Sequence, residues 1–313
     1  MGANCQEAGR MKWLKLWMKA LRVRFFTASL IPILLGIMVA GQSNPLPILR
    51  VLLVIGGIFF YHGGSNLIND LYDDLSGTDR INHYYSPFNG GSRVLQEGLI
   101  TRDICIKAVV FCFTVGTVCA LLLASSGGGW EIILLGIAGL FCAYFYSAPP
   151  LRLAGTALGE AMVGFAFGPL LVVGTVRALT GYFIKEAFFL SLPIGFLITA
   201  VIFINEFPDY QADQVTGKKN LVVRMGKERS IRCFALLLMS AYLLMLLNLI
   251  LLELPQYLII FVLTLPLAWW VYWMGKRNLN DARKVLPACA GTIILHFVNG
   301  LTLILACFSK WKQ

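Results

Sequence analysis

Four aspartates, Asp70, Asp73, Asp74 and Asp79, fall within ten residues, and three more acids, Glu206, Asp209 and Asp213, fall within eight. On a continuing helix Asn66, Asn69, Asp70 and Asp73 follow the i, i+3, i+4, i+7 spacing that puts side chains on one face. Gly77 is placed to end that helix and to turn Asp79 back toward the same point. Asn205, Asp209 and Asp213 stand at i, i+4 and i+8, again on one face, with Pro208 as a candidate kink. Each group starts at the end of an apolar run, where burying a carboxylate is costly and therefore marks function. Carboxylates that converge repel one another unless cations lie between them. Oxygen ligands with no His or Cys nearby favour a hard ion, and Mg²⁺ is typically held by a few carboxylates together with substrate phosphates. With Arg80, Arg93, Lys218, Lys219 and Arg224 close by, the two groups predict a site for a metal-bound diphosphate. There the metal and the basic residues stabilise charge on a departing diphosphate.

The elements that must position these residues are membrane helices. Of 313 residues, 58% are hydrophobic and 13% charged, about half the charge of a soluble domain, and the mean hydropathy is +0.74. The apolar runs repeatedly reach the length of about 20 residues that crosses a bilayer. Nine spans are expected, over 25–41, 49–68, 104–124, 131–148, 157–178, 187–206, 233–252, 256–275 and 288–308. The two long polar connections, 69–103 and 207–232, are those that carry the acids. With the N-terminus in the cytoplasm, 21 of the 26 Lys and Arg fall inside, leaving Arg50, Arg177, Lys185, Lys310 and Lys312 at outer ends. That bias is what the positive-inside rule requires. The net charge of +10 therefore reads as orientation in an inner cell membrane with the acids on the cytoplasmic side. No nucleic-acid partner is expected. Lys12, Lys15, Lys19 and Arg22 fall at helical spacing opposite Trp13, Leu14, Trp17 and Leu21, so residues 1–24 read as an interfacial amphipathic segment ahead of a single transmembrane domain over 25–308. The eight cysteines, Cys5 among them, form no C-x-x-C pair and read as small buried hydrophobes. Cys105, Cys112 and Cys119 recur every seven residues on one face. Gly56, Gly57, Gly63 and Gly64 are expected to let helices pack closely.

Taken together, Asn69-Asp70-x-x-Asp73 with Asp79, and Asp209-x-x-x-Asp213, resemble the paired motifs of the UbiA superfamily of intramembrane prenyltransferases, from about residue 20 to 305. The resemblance implies an all-α polytopic fold of nine helices around a central cavity, two Mg²⁺ ions and an isoprenyl diphosphate donor. Within the superfamily the chain is most similar to the 1,4-dihydroxy-2-naphthoate prenyltransferases of menaquinone synthesis. Four stretches carry that likeness: NDLYDDLSGTD; Gly90-Gly91-Ser92-Arg93-Val94 with Gly98-Leu99; Tyr146-Ser-Ala-Pro-Pro-Leu-Arg152 with Gly159-Glu160 and Gly168-Pro169; and Gly217-Lys218 with Leu221-Val-Val-Arg224-Met-Gly226. The chain also departs from its relatives. Arg22 precedes Val23 and Arg24 where Arg-Pro is common. Relatives often carry a second Asn or an Arg just before the Asp of the second motif, where this chain has Glu206 and Pro208. Arg152 takes the place of a Lys found in other branches.

On this reading Asp70, Asp73, Asp79, Asp209 and Asp213 are the metal ligands, with Asp70, Asp73, Asp209 and Asp213 catalytic. Asn66, Asn69 and Asn205 orient carboxylates or phosphates. Arg22, Arg93, Arg152, Lys218 and Tyr146 face the donor. Loss of diphosphate leaves an allylic cation that an aromatic acceptor attacks, in a cavity closed against water by the loop at 81–98. His62 and His296 read as packing residues within spans, and His83 as a loop residue. Three rivals differ in testable ways. Another branch of the superfamily would take 4-hydroxybenzoate, haem or a lipid glycerol phosphate as acceptor. An ion-coupled transporter places its acids mid-span and shows an internal repeat. A phosphatidyltransferase of the CDP-alcohol type needs a D-G-x-x-A-R run, which is absent.

Overall fold

The computed structural model describes residues 12–42, 45–86 and 88–311. Cys5 and the first residues of the amphipathic segment lie outside them. With no water to satisfy backbone groups in the hydrocarbon, long apolar runs close their hydrogen bonds within a helix. The described elements are accordingly helical: α1 over 12–20, then α2 (Thr27–Gly41), α3 (Ile48–Ser76), α4 (Thr78–Ile81), α5 (Arg102–Leu123), α6 (Trp130–Phe145), α7 (Gly159–Phe165), α8 (Leu171–Thr180), α9 (Lys185–Val215), α10 (Leu221–Met225), α11 (Lys227–Leu251), α12 (Leu265–Arg277) and α13 (Leu286–Trp311). Among the described residues, eight helical stretches are long and apolar enough to cross a membrane, and α6 is a shorter ninth. The nine expected spans are thus present. The eighth opens as a 3-10 stretch, Gln256–Thr264, before α12.

The two longest helices outrun the bilayer by several turns. α3 has 29 residues and α9 has 31, against about 20 needed to span. Their extra turns carry the acidic motifs beyond the apolar zone. α9 runs unbroken through Pro193 and Pro208. It is the most covered of the spans, with 67% of its apolar window buried, and it packs on α7, α11 and α13. Its approach to the preceding span depends on glycine. A Cβ on Gly168 would come 2.7 Å from Cα of Gly195, and one on Gly195 would come 2.8 Å from O of Gly164. At Pro169 the missing N–H and the ring would break a regular α-helix. α7 passes into α8 there through a wide π-type turn, Ala166–Leu170.

The heptad of cysteines has a structural partner. A Cβ on Gly64 would lie 3.2 Å from Cβ of Cys112, and a Cβ on Gly57 would lie 3.0 Å from Cβ of Cys119. Two seven-residue spacings thus face each other along α3 and α5. Cys105 closes the series by donating from Sγ to the carbonyl of Leu67 at 3.5 Å. Cys105, Cys112, Cys119, Cys142, Cys233 and Cys289 are free thiols. α1 exposes Trp13, Leu14 and Met18, while Leu16, Trp17, Ala20 and Leu21 pack against the inner end of α3 and the loop around Val94 and Ile100.

Candidate active site

The last turns of α3 sort their polar residues by face. Asn66 donates from Nδ2 to the carbonyl of Leu21 at 2.9 Å, tying α3 to the segment before α2. Asn69 donates to Asp73 Oδ2 at 3.2 Å and to Ser147 Oγ at 3.1 Å. Asp70 is buried, pairs with Arg22 and accepts from both the amide and the hydroxyl of Ser92. Asp74 turns the other way, to Arg102 at 2.6 Å and Arg80 at 3.4 Å, so it braces the loop instead of facing the cavity. Gly77 ends α3 at φ +80°, a conformation that glycine adopts freely. The chain reverses there and brings Asp79 back beside Asp73, as the sequence anticipates.

The second motif comes from the far end of α9. Asp209 Oδ1 accepts from Nδ2 of Asn82 and Nδ2 of Asn89, both at 2.5 Å. Asp213 accepts from Nδ2 of Asn220 at 2.9 Å. Lys218 then joins the motifs: its Nζ lies 2.7 Å from Asp73 Oδ1 and 3.5 Å from Asp213 Oδ1. Thr78 adds a hydroxyl contact to Thr216 at 3.1 Å. Sites more than 130 residues apart in sequence therefore share one cation and one loop.

All of this frames a cavity of about 300 Å³. Its polar end is lined by Arg22, Asn66, Asn69, Asp73, Asp79, Asn205, Asp209, Asp213, Lys218 and Tyr146. Its apolar end is lined by Ile58, Met162, Val163, Phe167 and Leu171. A second hollow of about 110 Å³ shares Ile58, Tyr61, Gly139, Leu170 and Leu171 with the first and runs on past Gly174 between α3, α5, α6 and α8. His62 sits in the wall, with Nδ1 2.7 Å from Ser29 Oγ and its ring against Phe26 and Phe167.

The loop expected to close the cavity does meet it. Phe88, Asn89, Gly90 and Gly91 line the wall. Gly91, at φ +76°, brings backbone so near the first motif that a Cβ there would press on Asp79 Oδ2 and lie 3.2 Å from Asp70 Oδ1. No other residue type fits.

Three expected site residues lie behind this wall. Asp70 reaches the cavity only through Arg22. Arg93 donates to the backbone carbonyl of Asp79 and stacks on Tyr85 at 4.6 Å, so it props the Asp79 turn. Arg152 lies over the ring of Tyr72 at 5.8 Å, and neither arginine lines the cavity. Four contributors were not singled out from the sequence: Asn82, Asn89, Gln96 and Asn220. The two loop asparagines are buried although they sit in a polar, glycine-containing connection. That composition reads as an ordinary turn, so the sequence carried no signal that they reach Asp209.

Charge is held tightly here. Burial alone would lower the Arg22 guanidinium, but Asp70, Asp79 and Asp73 outweigh it and raise its pKa. The same balance raises Lys218, with Asp73 and Asp213 prevailing over burial. Asp79 is pushed up to about 7, first by burial and then by Asp73, with Arg22 and Lys218 opposing. Among the described residues no three acidic, His or Cys side chains converge as a ready-made metal cage, because each carboxylate already has a protein partner. The donor set still fits a hard divalent ion. It is all oxygen, split over two motifs, and its shared point is taken by a cation, the Lys218 ammonium. Mg²⁺ needs only one or two carboxylates when phosphates complete its shell.

The chain and its fold are similar to known proteins. The chain is 24% identical over 237 residues to a 1,4-dihydroxy-2-naphthoate octaprenyltransferase of Bacillus subtilis, covering 76% of this chain and 73% of that one. It is 25% identical over 302 residues to a 2-carboxy-1,4-naphthoquinone phytyltransferase of Synechocystis, covering 92% of each. The fold matches a UbiA homologue from Archaeoglobus fulgidus bound to DMAPP and Mg²⁺, with TM-score 0.63 and 19% identity over 92% of this chain and 99% of that one. The family profile for UbiA prenyltransferases matches residues 29–288, and the chain, a multi-pass membrane enzyme that transfers prenyl groups, belongs to the UbiA prenyltransferase family.

Proposed function

We propose that this enzyme transfers a polyprenyl group from its diphosphate to 1,4-dihydroxy-2-naphthoate, with loss of the acceptor carboxylate, in menaquinone synthesis. The observation that carries the reading is the single cavity that is acidic and cationic at one end and apolar at the other. It has the polarity of a prenyl diphosphate. The relatives named for naphthoate prenylation support the choice of acceptor.

Asp73 and Asp79 from the first motif and Asp209 and Asp213 from the second would hold Mg²⁺, with Asp70 acting through Arg22, and the ion would supply the positive charge that a leaving diphosphate needs. The chain's own residues do the rest. Lys218 and Arg22 pair with phosphate oxygens, Arg22 with a fork suited to two of them. Asn66 and Asn69 hold the end of α3 in register, so that Asp73 faces the cavity. Asn82 and Asn89 fasten the loop to Asp209 and keep water from an allylic cation. Tyr146 and Asn205 line the wall beside the reacting carbon. The prenyl tail lies along the apolar end and on past Gly174. The excess of basic residues on the motif-bearing loops orients the enzyme in the inner membrane with this mouth toward the cytoplasm. Residues 12–24 belong to its interfacial segment, and 25–308 form its catalytic domain.

The deciding experiment uses purified protein in lipid nanodiscs with Mg²⁺, a labelled polyprenyl diphosphate and a panel of aromatic acids, with products separated by mass. A prenylated, decarboxylated naphthoquinol supports the assignment. Turnover with 4-hydroxybenzoate alone would move the chain to another branch, and no transfer to any acceptor would remove it from this reaction.

A further inference from the structure

Glu206 is an acid of the cavity wall that the diphosphate site does not use. It precedes Asp209 and Asp213 by three and seven residues on α9, so the three share a face. Glu206 therefore lies one turn deeper, about 5 Å toward the apolar end. Its neighbour is Glu160, in the first turn of α7 and 1% exposed, close enough for the two carboxyl groups to feel each other's charge. Glu160 is fixed from behind: its Oε1 accepts from the backbone N–H of Leu221 at 2.7 Å.

Three buried acceptor atoms here are left over, two of them, on Asn205 and Glu206, on residues of the cavity wall. Oε2 of Glu206, Oε2 of Glu160 and Oδ1 of the neighbouring Asn205 are buried and have no hydrogen-bond partner. A buried acceptor without a donor is costly, and within a membrane span the cost is sustained where a ligand completes the bond. What these atoms lack is a donor. The group that suits an apolar cavity one turn from a departing diphosphate is a phenolic hydroxyl.

We propose that Glu206, braced by Glu160, binds the aromatic acceptor by accepting a hydrogen bond from one of its ring hydroxyls. The proposal rests on the prenyltransfer reading given above. The bond orients the ring beside the allylic carbon. It also raises electron density on the ring carbon that attacks. Asn205 offers the second acceptor to the same ring edge, and Glu160 is a positioning residue that acts through Glu206.

The test is steady-state kinetics of the full-length protein in nanodiscs. It compares wild type, Glu206→Leu, Glu206→Gln and Glu160→Gln, with 1,4-dihydroxy-2-naphthoate and its two mono-methyl ethers as acceptors. Glu206→Leu is expected to raise KM for the dihydroxy acceptor about thirtyfold, while KM for the prenyl diphosphate and the Mg²⁺ requirement stay within about twofold. Glu206→Gln, which keeps a neutral acceptor atom, is expected to fall between that and wild type. It carries the test if the leucine variant does not fold. Glu160→Gln keeps an oxygen for Leu221 but turns a donor toward Glu206 that competes with the acceptor hydroxyl, so it is expected to raise KM for the dihydroxy acceptor about fivefold and to leave KM for the prenyl diphosphate unchanged, and equal changes in both would remove the positioning role. One of the two methyl ethers is expected to lose the same factor in wild type and to lose nothing further in Glu206→Leu. Equal rises in both KM values, a shifted Mg²⁺ dependence, or an unchanged acceptor KM in both Glu206 variants would overturn the assignment. A wild-type protein inactive on every phenol defeats the prenyltransfer reading instead.

Discussion

The Nζ of Lys218 lies 2.7 Å from Oδ1 of Asp73, an ion pair between the loop after α9 and the end of α3. Asp213 also faces Lys218, so this ammonium holds the two aspartate motifs together before any substrate arrives. A diphosphate entering between the motifs exchanges one set of oxygens around Lys218 for another. Lys218→Ala is expected to lower kcat/KM by about a hundredfold, the scale of a lost charge-assisted hydrogen bond. Most of the effect should fall on KM for the diphosphate. Asp73→Ala and Asp209→Ala should abolish turnover outright. Full activity in either aspartate variant would remove the motifs from the reaction.

Asn82 and Asn89 both donate to Asp209 and so fasten the loop over the cavity. With Asn82→Ala/Asn89→Ala the loop loses its grip on α9. The expected result is a shift in product, with free prenyl alcohol rising several-fold relative to prenylated acceptor as water reaches the cation. Mass analysis of both products from one reaction checks this. Variants that lose rate with an unchanged product ratio would give the asparagines a different part.

Asp79 has a pKa raised from 3.8 to about 7. Below about 7 it holds a proton that Mg²⁺ must displace. Metal affinity should therefore fall as pH drops through 7, by up to tenfold per unit, and level off above it. Linkage gives the matching sign for stability. A carboxyl whose folded pKa is raised stabilises the fold most below its ordinary 3.8, and that contribution is lost as pH climbs through about 7. Metal titrations between pH 5.5 and 8.5, set beside Asp79→Asn, would register both effects, and the asparagine variant should flatten the profile.

The hollow beyond Gly174 gives the prenyl tail a route. A Cβ at Gly174 meets nothing within 4 Å, and Gly174 lines the hollow, so a large side chain there occupies the channel. Gly174→Phe is expected to raise KM for an octaprenyl diphosphate at least tenfold and to leave dimethylallyl diphosphate within about twofold. Competition between donors of graded length measures this directly. Equal effects at every length would place the tail elsewhere.

At the opposite end of the spans, Arg177 is buried and pairs with Glu131 at 2.9 Å, joining α8 to α6. Removing one partner strands a buried charge. Because Glu131 is 31% exposed, the cost is discounted to about 2 kcal/mol. Glu131→Ala should lower the Tm in detergent by several degrees. Glu131→Leu with Arg177→Met should recover most of it.

The spacing of apolar runs, the asymmetry of Lys and Arg, and the face shared by Asn69, Asp70 and Asp73 were legible in the linear order, because helix geometry and bilayer thickness convert spacing into position with no further information. The return of Asp79 was legible as well, through Gly77. Only the folded chain decided which of those aspartates meet the cavity. Asp74 and Asp73 are adjacent in sequence, yet a helix turns them about 100° apart, and Arg102 takes one while Lys218 takes the other. Nor could local pattern show that Asn82 and Asn89 reach Asp209, or that Glu206 faces Glu160. Those contacts join segments 40 to 130 residues apart, and they exist because glycine seams, such as Gly168 on Gly195, let particular helices come close enough to set their polar ends against one another.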